Sequence, residues 1–113
     1  MIVRCWTGAV PTSKAAAYLE LMRDVAIPDY RGVAGNLAVF CSYAESGAVT
    51  QIKILTFWSD MEAIRAFAGA NPARAKYYDF DGEFLLAKNE FVDHWTIDAC
   101  AIDVIALAEA SCQ

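Results

Sequence analysis

The chain has 113 residues and a mass of 12.4 kDa, which is enough for one domain with a single hydrophobic core. Hydrophobic residues make up 58% of the chain and charged residues 20%, a composition that excludes disorder and indicates that some apolar surface is buried against a partner. The net charge of −5 and the lack of any cluster of Lys and Arg argue against binding to nucleic acid or to an anionic membrane.

The first residues are apolar too briefly for a secretory signal, and no apolar stretch reaches the roughly 20 residues that a membrane span needs. We therefore expect a soluble, cytoplasmic protein. Its four cysteines, Cys5, Cys41, Cys100 and Cys112, include no C-x-x-C pair and have no histidine at metal-ligand spacing. We expect reduced thiols, with Cys5 and Cys41 packed in the core, and no metal site.

Residues 2–10 predict a first strand with large apolar side chains on both faces. Pro11, Thr12 and Ser13 supply a turn and an N-cap hydroxyl for a first helix. The apolar residues of this helix recur at helical spacing, at Ala15, Tyr18, Leu19, Met22 and Ala26. We expect Pro28 to end the helix and residues 29–35 to form a loop.

Residues 36–45 and 49–58 predict two more strands, joined by a hairpin connection that contains Gly47. Both strands carry large apolar groups on both faces. Ser59 and Glu62 have the spacing of a capping box, so a second helix is expected to begin there and to end near Gly69.

The sequence Asn71-Pro72 predicts a further short helix as far as Tyr77, and residues 79–83 predict a turn. Residues 86–97 predict a fourth strand, in which Trp95 and His94 face opposite sides. The order β-α-β-β-α-β is the ferredoxin-like α+β pattern, an antiparallel sheet with both helices on one face. The domain is thus assigned to residues 1–97, and residues 98–113 are expected to form a weak helix or an extended arm.

Two helices cover only one face of a four-stranded sheet, whereas the predicted strands carry apolar residues on both faces. A second copy of the same sheet is the simplest cover for the other face, so we expect a homodimer. A monomer whose second sheet face is covered by the C-terminal tail is the alternative.

The run ILTFWSDMEAIRAF at residues 54–67, together with FVDHW at residues 91–95, resembles the antibiotic biosynthesis monooxygenase domain superfamily. The resemblance covers about residues 1–97. It implies small ferredoxin-like chains whose sheets pair into a dimeric α+β barrel. Among its members are oxygenases of anthrones and quinols that need no cofactor, and haem-degrading monooxygenases of the same shape.

The chain departs from this family at the positions that carry the chemistry. The quinol-oxidising members have histidines in and just beyond the second helix, where this sequence has Phe67 and the neighbourhood of Pro72 and Ala73. The haem-degrading members have an Asn, a Trp and an axial His at three positions, where this sequence has Thr7, Phe67 and Tyr77. A tyrosine can ligate haem iron, but the loss of all three groups argues against haem.

His94 is the only histidine and is the candidate general base, although a lone histidine on a strand is more often a core residue. Tyr77 and Tyr78 are candidates to bind a phenolate or quinone oxygen through their hydroxyl groups. Trp58 is expected to stack on a flat aromatic ligand. The other expected substrate-binding residues, which line a cavity between sheet and helices or add polar groups to it, are Phe67, Phe40, Trp6, Asn36 and Arg74.

Arg4 is a further polar candidate for the pocket, but it is costly to bury without a partner, and Asp93 on the neighbouring strand is its expected mate in a structural ion pair. The leading hypothesis is a cofactor-independent monooxygenase of a small electron-rich aromatic such as an anthrone, naphthol or quinol, which a base deprotonates before it reacts with O2. Three alternatives remain open: a dimeric module that binds a small aromatic molecule without catalysis, a haem-handling protein, and a structural dimer whose pocket is filled.

Overall fold

A computed structural model describes residues 1–103 of the chain. Within this range a single sheet of four strands has the order β2-β3-β1-β4, and all neighbouring strands are antiparallel. The strands are β1 (Ile2–Pro11), β2 (Asn36–Ser46), β3 (Val49–Trp58) and β4 (Asp93–Thr96). This topology confirms the predicted ferredoxin-like α+β fold.

Alternate residues of the two central strands are buried on the helix-covered face of the sheet. Trp6 and Val10 of β1 lie beside Ile54 and Thr50 of β3, and all four are almost fully buried. They pack against residues of the helices to form one hydrophobic core, which includes Tyr18, Met22, Tyr30, Ile64 and Phe67.

The first helical run is longer than the sequence predicted. It comprises α1 (Thr12–Leu21), a π-helical segment (Met22–Ala26) and α2 (Ile27–Arg31). Pro28 does not end the helix, because the π-type bond from the Ile27 N–H to the Met22 carbonyl widens the turn that precedes its ring. The extra turn carries Tyr30 into the core, where it is 4% exposed.

The expected N-cap of α1 is also wrong, since no side chain caps this helix. Pro11 occupies the cap position, and the Thr12 hydroxyl lies 2.9 Å from the Thr50 hydroxyl instead. Helix α1 follows Pro11 directly, and the Thr12 side chain contacts Thr50 of β3 instead of capping its own helix.

Helix α3 (Met61–Ala68) begins one residue later than the capping box predicted. Asp60 is the N-cap, and its carboxylate accepts a hydrogen bond of 2.9 Å from the Ala63 N–H. Glu62 pairs with Arg65 instead, and the Ser59 N–H donates to the Gly35 carbonyl. The helix ends at Gly69, as predicted, with a positive φ of 99°.

The helix predicted from Asn71 to Tyr77 is absent, and the expected turn at residues 79–83 contains the short helix α4 (Asp81–Phe84). Residues 73–75 pair instead with residues 90–92, through hydrogen bonds from Ala75 N–H to the Glu90 carbonyl and from Val92 N–H to the Ala73 carbonyl. For this reason β4 pairs with β1 only over Asp93–Thr96, which is much shorter than the predicted strand.

The open face of the sheet is apolar at one end and polar at the other. The apolar end includes Trp95, Val3, Phe57, Leu55 and Phe40. Trp95 is 66% exposed and Phe40 41% exposed in the single chain. The polar end carries Thr7, Lys53, Gln51 and Ser42.

Residues 98–103 of the tail are exposed and form no helix or strand. The rest of the expected weak helix or arm lies outside the described residues.

Candidate functional site

Arg4 and His94 lie directly opposite each other on β1 and β4, and both belong to the helix-covered face of the sheet. Asp93 is paired with Cys5 in the same ladder and therefore faces the other side. The predicted ion pair between Arg4 and Asp93 is wrong, because their side chains lie on opposite faces of the sheet.

Arg4 is a buried cation without a carboxylate partner. Its side chain is 2% exposed, and its Nη2 donates a hydrogen bond of 2.8 Å to the Arg74 carbonyl. Its Nε is buried and has no hydrogen-bond partner, and no residue in the range 1–103 forms a salt bridge with it. Burial lowers the pKa of Arg4 from its usual value, although the group is still a cation at neutral pH.

His94 is half-buried, and its Nε2 is a second buried nitrogen without a hydrogen-bond partner. Burial and the neighbouring Arg4 charge hold the pKa of His94 below its usual value of 6.5. The imidazole is therefore neutral at pH 7. A neutral imidazole with a free ring nitrogen is the form that a general base requires.

A group of aromatic side chains lies beside Arg4. The Phe67 ring of α3 lies 5.6 Å from Trp58 and is stacked on Tyr30 at 4.4 Å, measured between ring centroids. The Arg4 guanidinium carbon lies 5.7 Å from the centroid of the same Phe67 ring. Trp58 is fully buried, and its indole N–H donates to the Thr56 hydroxyl at 2.8 Å.

Trp6 adds a fourth aromatic group to this side of the sheet. Its ring meets Tyr77 edge-on, and its Nε1 is buried without a hydrogen-bond partner. Thus Arg4, Trp6 and His94 each have an unpartnered buried nitrogen on the same face of two adjacent strands.

The two tyrosines that the sequence proposed as oxyanion binders already donate their hydroxyl hydrogens within the protein. Tyr78 donates to the Asp29 carboxylate at 2.7 Å, and Tyr77 donates to the Asn89 carbonyl. Burial and the hydrogen bond to Asp29 raise the pKa of Tyr78, and burial raises that of Tyr77. Both hydroxyls are therefore protonated at neutral pH.

Lys76 and Asp29 complete the network around Tyr78. The Lys76 ammonium lies 3.0 Å from the Asp29 carboxylate and 4.3 Å from the centroid of the Phe67 ring. Burial alone would raise the pKa of Asp29, but the hydrogen bonds from Tyr78 and Lys76 lower it overall. Asp29 is thus a carboxylate whose charge is already matched by Lys76.

A second carboxylate, Asp81, is buried and fixes the loop that carries Tyr78. The Tyr18 hydroxyl donates to one Asp81 oxygen at 2.8 Å, and the Tyr78 backbone N–H donates to the other at 2.6 Å. Burial and this hydrogen bond raise the pKa of Tyr18. The two hydrogen bonds to Asp81 connect the irregular segment at residues 70–80 to helix α1.

Three of the expected substrate-binding residues lie away from this group. Phe40 is on the open face of the sheet, where it contacts Phe57, so it does not line a cavity between sheet and helices. Asn36 is buried at the start of β2, beside a β-bulge, and its Oδ1 accepts a hydrogen bond from Arg31. The Arg74 side chain is exposed and pairs with Glu90 at 3.3 Å, and only its carbonyl reaches Arg4.

Between sheet and helices, a small cavity of about 10 Å³, which holds one water at most, is lined by residues that include Trp6, Tyr18, Tyr30, Lys76 and Tyr78. Larger depressions of about 400 and 220 Å³ share Thr7 and Gln51 at the polar end of the open face. Neither depression includes His94.

The positions that the resemblance compares with haem-binding residues do not surround one cavity. Thr7 pairs with Lys53 on the open face, Phe67 is buried against Trp58 on the helix-covered face, and the Tyr77 hydroxyl is bonded to Asn89. Haem does not fit this arrangement. Among residues 1–103, no group of three or more His, Cys, Asp or Glu side chains is placed to hold a metal ion.

Sequence reasoning missed the neighbours that give the site its charge. Tyr30 and Lys76 were overlooked because the first helix was expected to end at Pro28 and the segment after Gly69 to be helical. Arg4 was a polar candidate for the pocket, but its expected ion pair with Asp93 was structural. Its alternation with Trp6 on the buried side of β1 was the signal that placed it on the side of the site.

Comparison with known proteins supports the fold. No family model matches the chain, and no curated protein matches it. A solved structure from Bacillus cereus, that of a proposed antibiotic biosynthesis monooxygenase, is similar with a TM-score of 0.59 and 11% sequence identity. The match covers 90% of this chain and 97% of that one. At this identity the likeness shows a common fold along nearly the whole of both chains.

Within residues 1–103, no helix is long and apolar enough to cross a membrane.

Proposed function

We propose that this protein is a cofactor-independent monooxygenase of a small electron-rich aromatic such as an anthrone, naphthol or quinol. One observation carries the proposal: His94 presents an unpartnered ring nitrogen on the aromatic side of the sheet, and its lowered pKa keeps it neutral at pH 7. The Bacillus cereus protein of the same fold, solved as a proposed monooxygenase, supports this class of reaction.

In the proposed reaction the substrate supplies the electrons. His94 Nε2 removes a proton from the activated CH2 or OH group, and the resulting anion transfers one electron to O2. For an anthrone, the substrate radical and superoxide combine to a peroxide, and loss of water then converts the CH2 into a carbonyl. One oxygen atom enters the product, and the other leaves as water with the two protons that the carbon has lost.

The aromatic substrate is held by stacking and by exclusion of water. Trp58 and Phe67 provide the flat apolar wall, and Trp6 closes the side next to Tyr77. The segment at residues 70–80 covers this side of the sheet, with the Arg74 carbonyl on Arg4 and the Lys76 ammonium on Phe67, and its outward movement would admit the substrate.

The proposed active form is a homodimer, in which the apolar end of the open face packs against the same surface of a second copy. Trp95, Phe40 and Phe57 would be buried in this contact, since 66% of Trp95 is exposed in the single chain. We place the protein in the cytoplasm, which is supported by the free thiols of Cys5, Cys41 and Cys100.

The test is oxygen uptake by metal-free protein with a panel of anthrones and reduced quinones. We expect uptake above the autoxidation rate, with kcat lowered about 10²-fold or more in His94→Ala and His94→Gln. Thr96→Val is the matched control, because it lies on the same face of β4 two residues away and carries no ionisable group. Equal rates for folded wild type and His94→Gln would refute the role of His94.

A dimeric module that binds an aromatic molecule without catalysis is the second candidate. It is favoured by the two candidate oxyanion binders, Tyr77 and Tyr78, whose hydroxyl hydrogens are already donated within the protein in this conformation. The same panel separates the two candidates: quenching of tryptophan fluorescence without any oxygen uptake would favour the binding module.

A further inference from the structure

Arg4 is a buried cation, and a second cation contacts the same aromatic ring. Its guanidinium carbon lies 5.7 Å from the Phe67 ring centroid, and the Lys76 ammonium lies 4.3 Å from the same centroid. Within residues 1–103, Lys76 pairs with Asp29, which also accepts the Tyr78 hydroxyl, and no carboxylate forms a salt bridge with Arg4. In the described part of the chain the buried Arg4 charge is therefore unmatched, although the whole chain has a net charge of −5.

The hydrogen bonds of Arg4 are also incomplete. A guanidinium has five N–H donors. In the described structure the Arg74 carbonyl accepts from Nη2, and Nε is fully buried with no acceptor. A buried charge that lacks both an ion-pair partner and part of its hydrogen bonds is costly, and an anion at this position would remove both deficits.

We propose that Arg4 is the anion-binding residue of the site, and that it holds an oxyanion of an aromatic ligand, a carboxylate or a phenolate, against Phe67. The planar fork of the guanidinium can bind two oxygens side by side, which a carboxylate supplies and a neutral ligand does not. His94, directly opposite on β4, offers a further unpartnered nitrogen to the same group.

The Arg74 carbonyl, which accepts the hydrogen bond from Arg4, belongs to an irregular part of the chain. Arg74 lies in the segment at residues 70–80, which is attached to residues 90–92 by two backbone hydrogen bonds and by the exposed Arg74–Glu90 pair. An anion that reaches Arg4 exchanges one carbonyl contact for a charged one. This inference deepens the proposed function by naming the charge of the substrate, but binding of the anion does not need the oxidation.

The experiment compares 1-naphthoate with 1-naphthamide, its neutral counterpart of the same shape, by quenching of the Trp6 and Trp58 fluorescence and by calorimetry. We expect wild type to bind naphthoate at least about tenfold more tightly than naphthamide. The preference is lost in Arg4→Gln and reduced in Arg4→Lys, which keeps the charge but not the fork. Thr96→Val is the control and retains the preference.

Circular dichroism first establishes that each variant is folded, and if Arg4→Gln is not, Arg4→Lys carries the comparison. The inference would be overturned if wild type bound the two naphthalenes with equal affinity. It would also be overturned if the preference for naphthoate were as large in the folded Arg4 variant as in wild type. Failure of 1-naphthoate to bind wild type at millimolar concentration would also overturn it. Oxygen uptake plays no part in this test, so an Arg4-dependent preference stands even if the oxygenase proposal fails.

Discussion

The Tyr30 ring is stacked on the Phe67 ring, with 4.4 Å between centroids and 23° between planes. Tyr30 comes from α2, beyond the π-helical segment, and Phe67 comes from α3. The stack therefore joins the first helical run to α3 above the sheet. The Lys76 ammonium lies against Phe67 as well. The Phe67 ring therefore belongs both to the hydrophobic core and to the candidate site.

Phe67→Ala is expected to lower the free energy of unfolding by about 3–5 kcal/mol, the usual loss when a buried phenylalanine is truncated. Phe67 is 5% exposed and contacts Tyr30, Trp58, Lys76 and Arg4. Urea denaturation at one fixed protein concentration measures the change. Phe91→Ala is the control, because Phe91 is 58% exposed and its loss should cost less than about 1 kcal/mol. Similar losses for the two variants would contradict the packing described.

Arg4→Met is expected to leave the protein as stable as wild type or to stabilise it, by up to about 1–4 kcal/mol. A buried charge that is replaced by an apolar side chain of similar volume no longer has a desolvation penalty, and Arg4 has no ion pair to lose. The same variant should lose activity, if Arg4 binds the substrate anion.

Chemical denaturation and oxygen uptake on one preparation test both expectations for Arg4→Met. A loss of more than about 2 kcal/mol would show that Arg4 is retained for stability and not for binding. Thr56→Val is a useful comparison, because the Thr56 hydroxyl accepts the Trp58 indole N–H and its removal leaves that donor unpaired.

Trp95→Asp is expected to convert a dimer into a monomer. Trp95 lies at the apolar end of the open face next to Val3, and a carboxylate there would be buried without a partner in a sheet-to-sheet contact. Light scattering at micromolar concentration should give twice the chain mass of 12.4 kDa for wild type and the single mass for the variant. Leu86→Asp, at a 57% exposed position outside the sheet, should stay dimeric. A wild-type particle of 12.4 kDa would exclude the dimer at that concentration.

The sequence was sufficient for the sheet and the element order, because alternation and helical spacing are local signals. It was not sufficient for contacts that depend on distant partners. Residues 73–75 pair with residues 90–92 instead of forming a helix, and Asp60 takes the cap position that Ser59 was expected to hold. His94 could be singled out because it is the only histidine, whereas its cross-strand partner depends on the register of β1 and β4, which the sequence does not contain.

The single histidine makes the pH dependence of the site directly measurable. Burial and the Arg4 charge lower the pKa of His94, and the Asp93 carboxylate opposes this only in part. We expect the NMR titration midpoint of the one imidazole, and the acid limb of kcat/KM, to lie below pH 6.5. In an Arg4→Met variant that is folded, the midpoint should rise towards the usual value.

The same shift fixes the sign of the effect of pH on stability. The folded state holds the His94 proton more weakly than the unfolded state, so the unfolded state binds more protons below pH 6.5. The free energy of unfolding therefore falls as the pH is lowered from 6.5 through the pKa of His94 in the folded state. His94→Gln should remove this part of the acid destabilisation and leave stability above pH 7 nearly unchanged. An imidazole midpoint at or above 6.5, or an acid limb of kcat/KM that persists in His94→Gln, would mean that His94 is not the base.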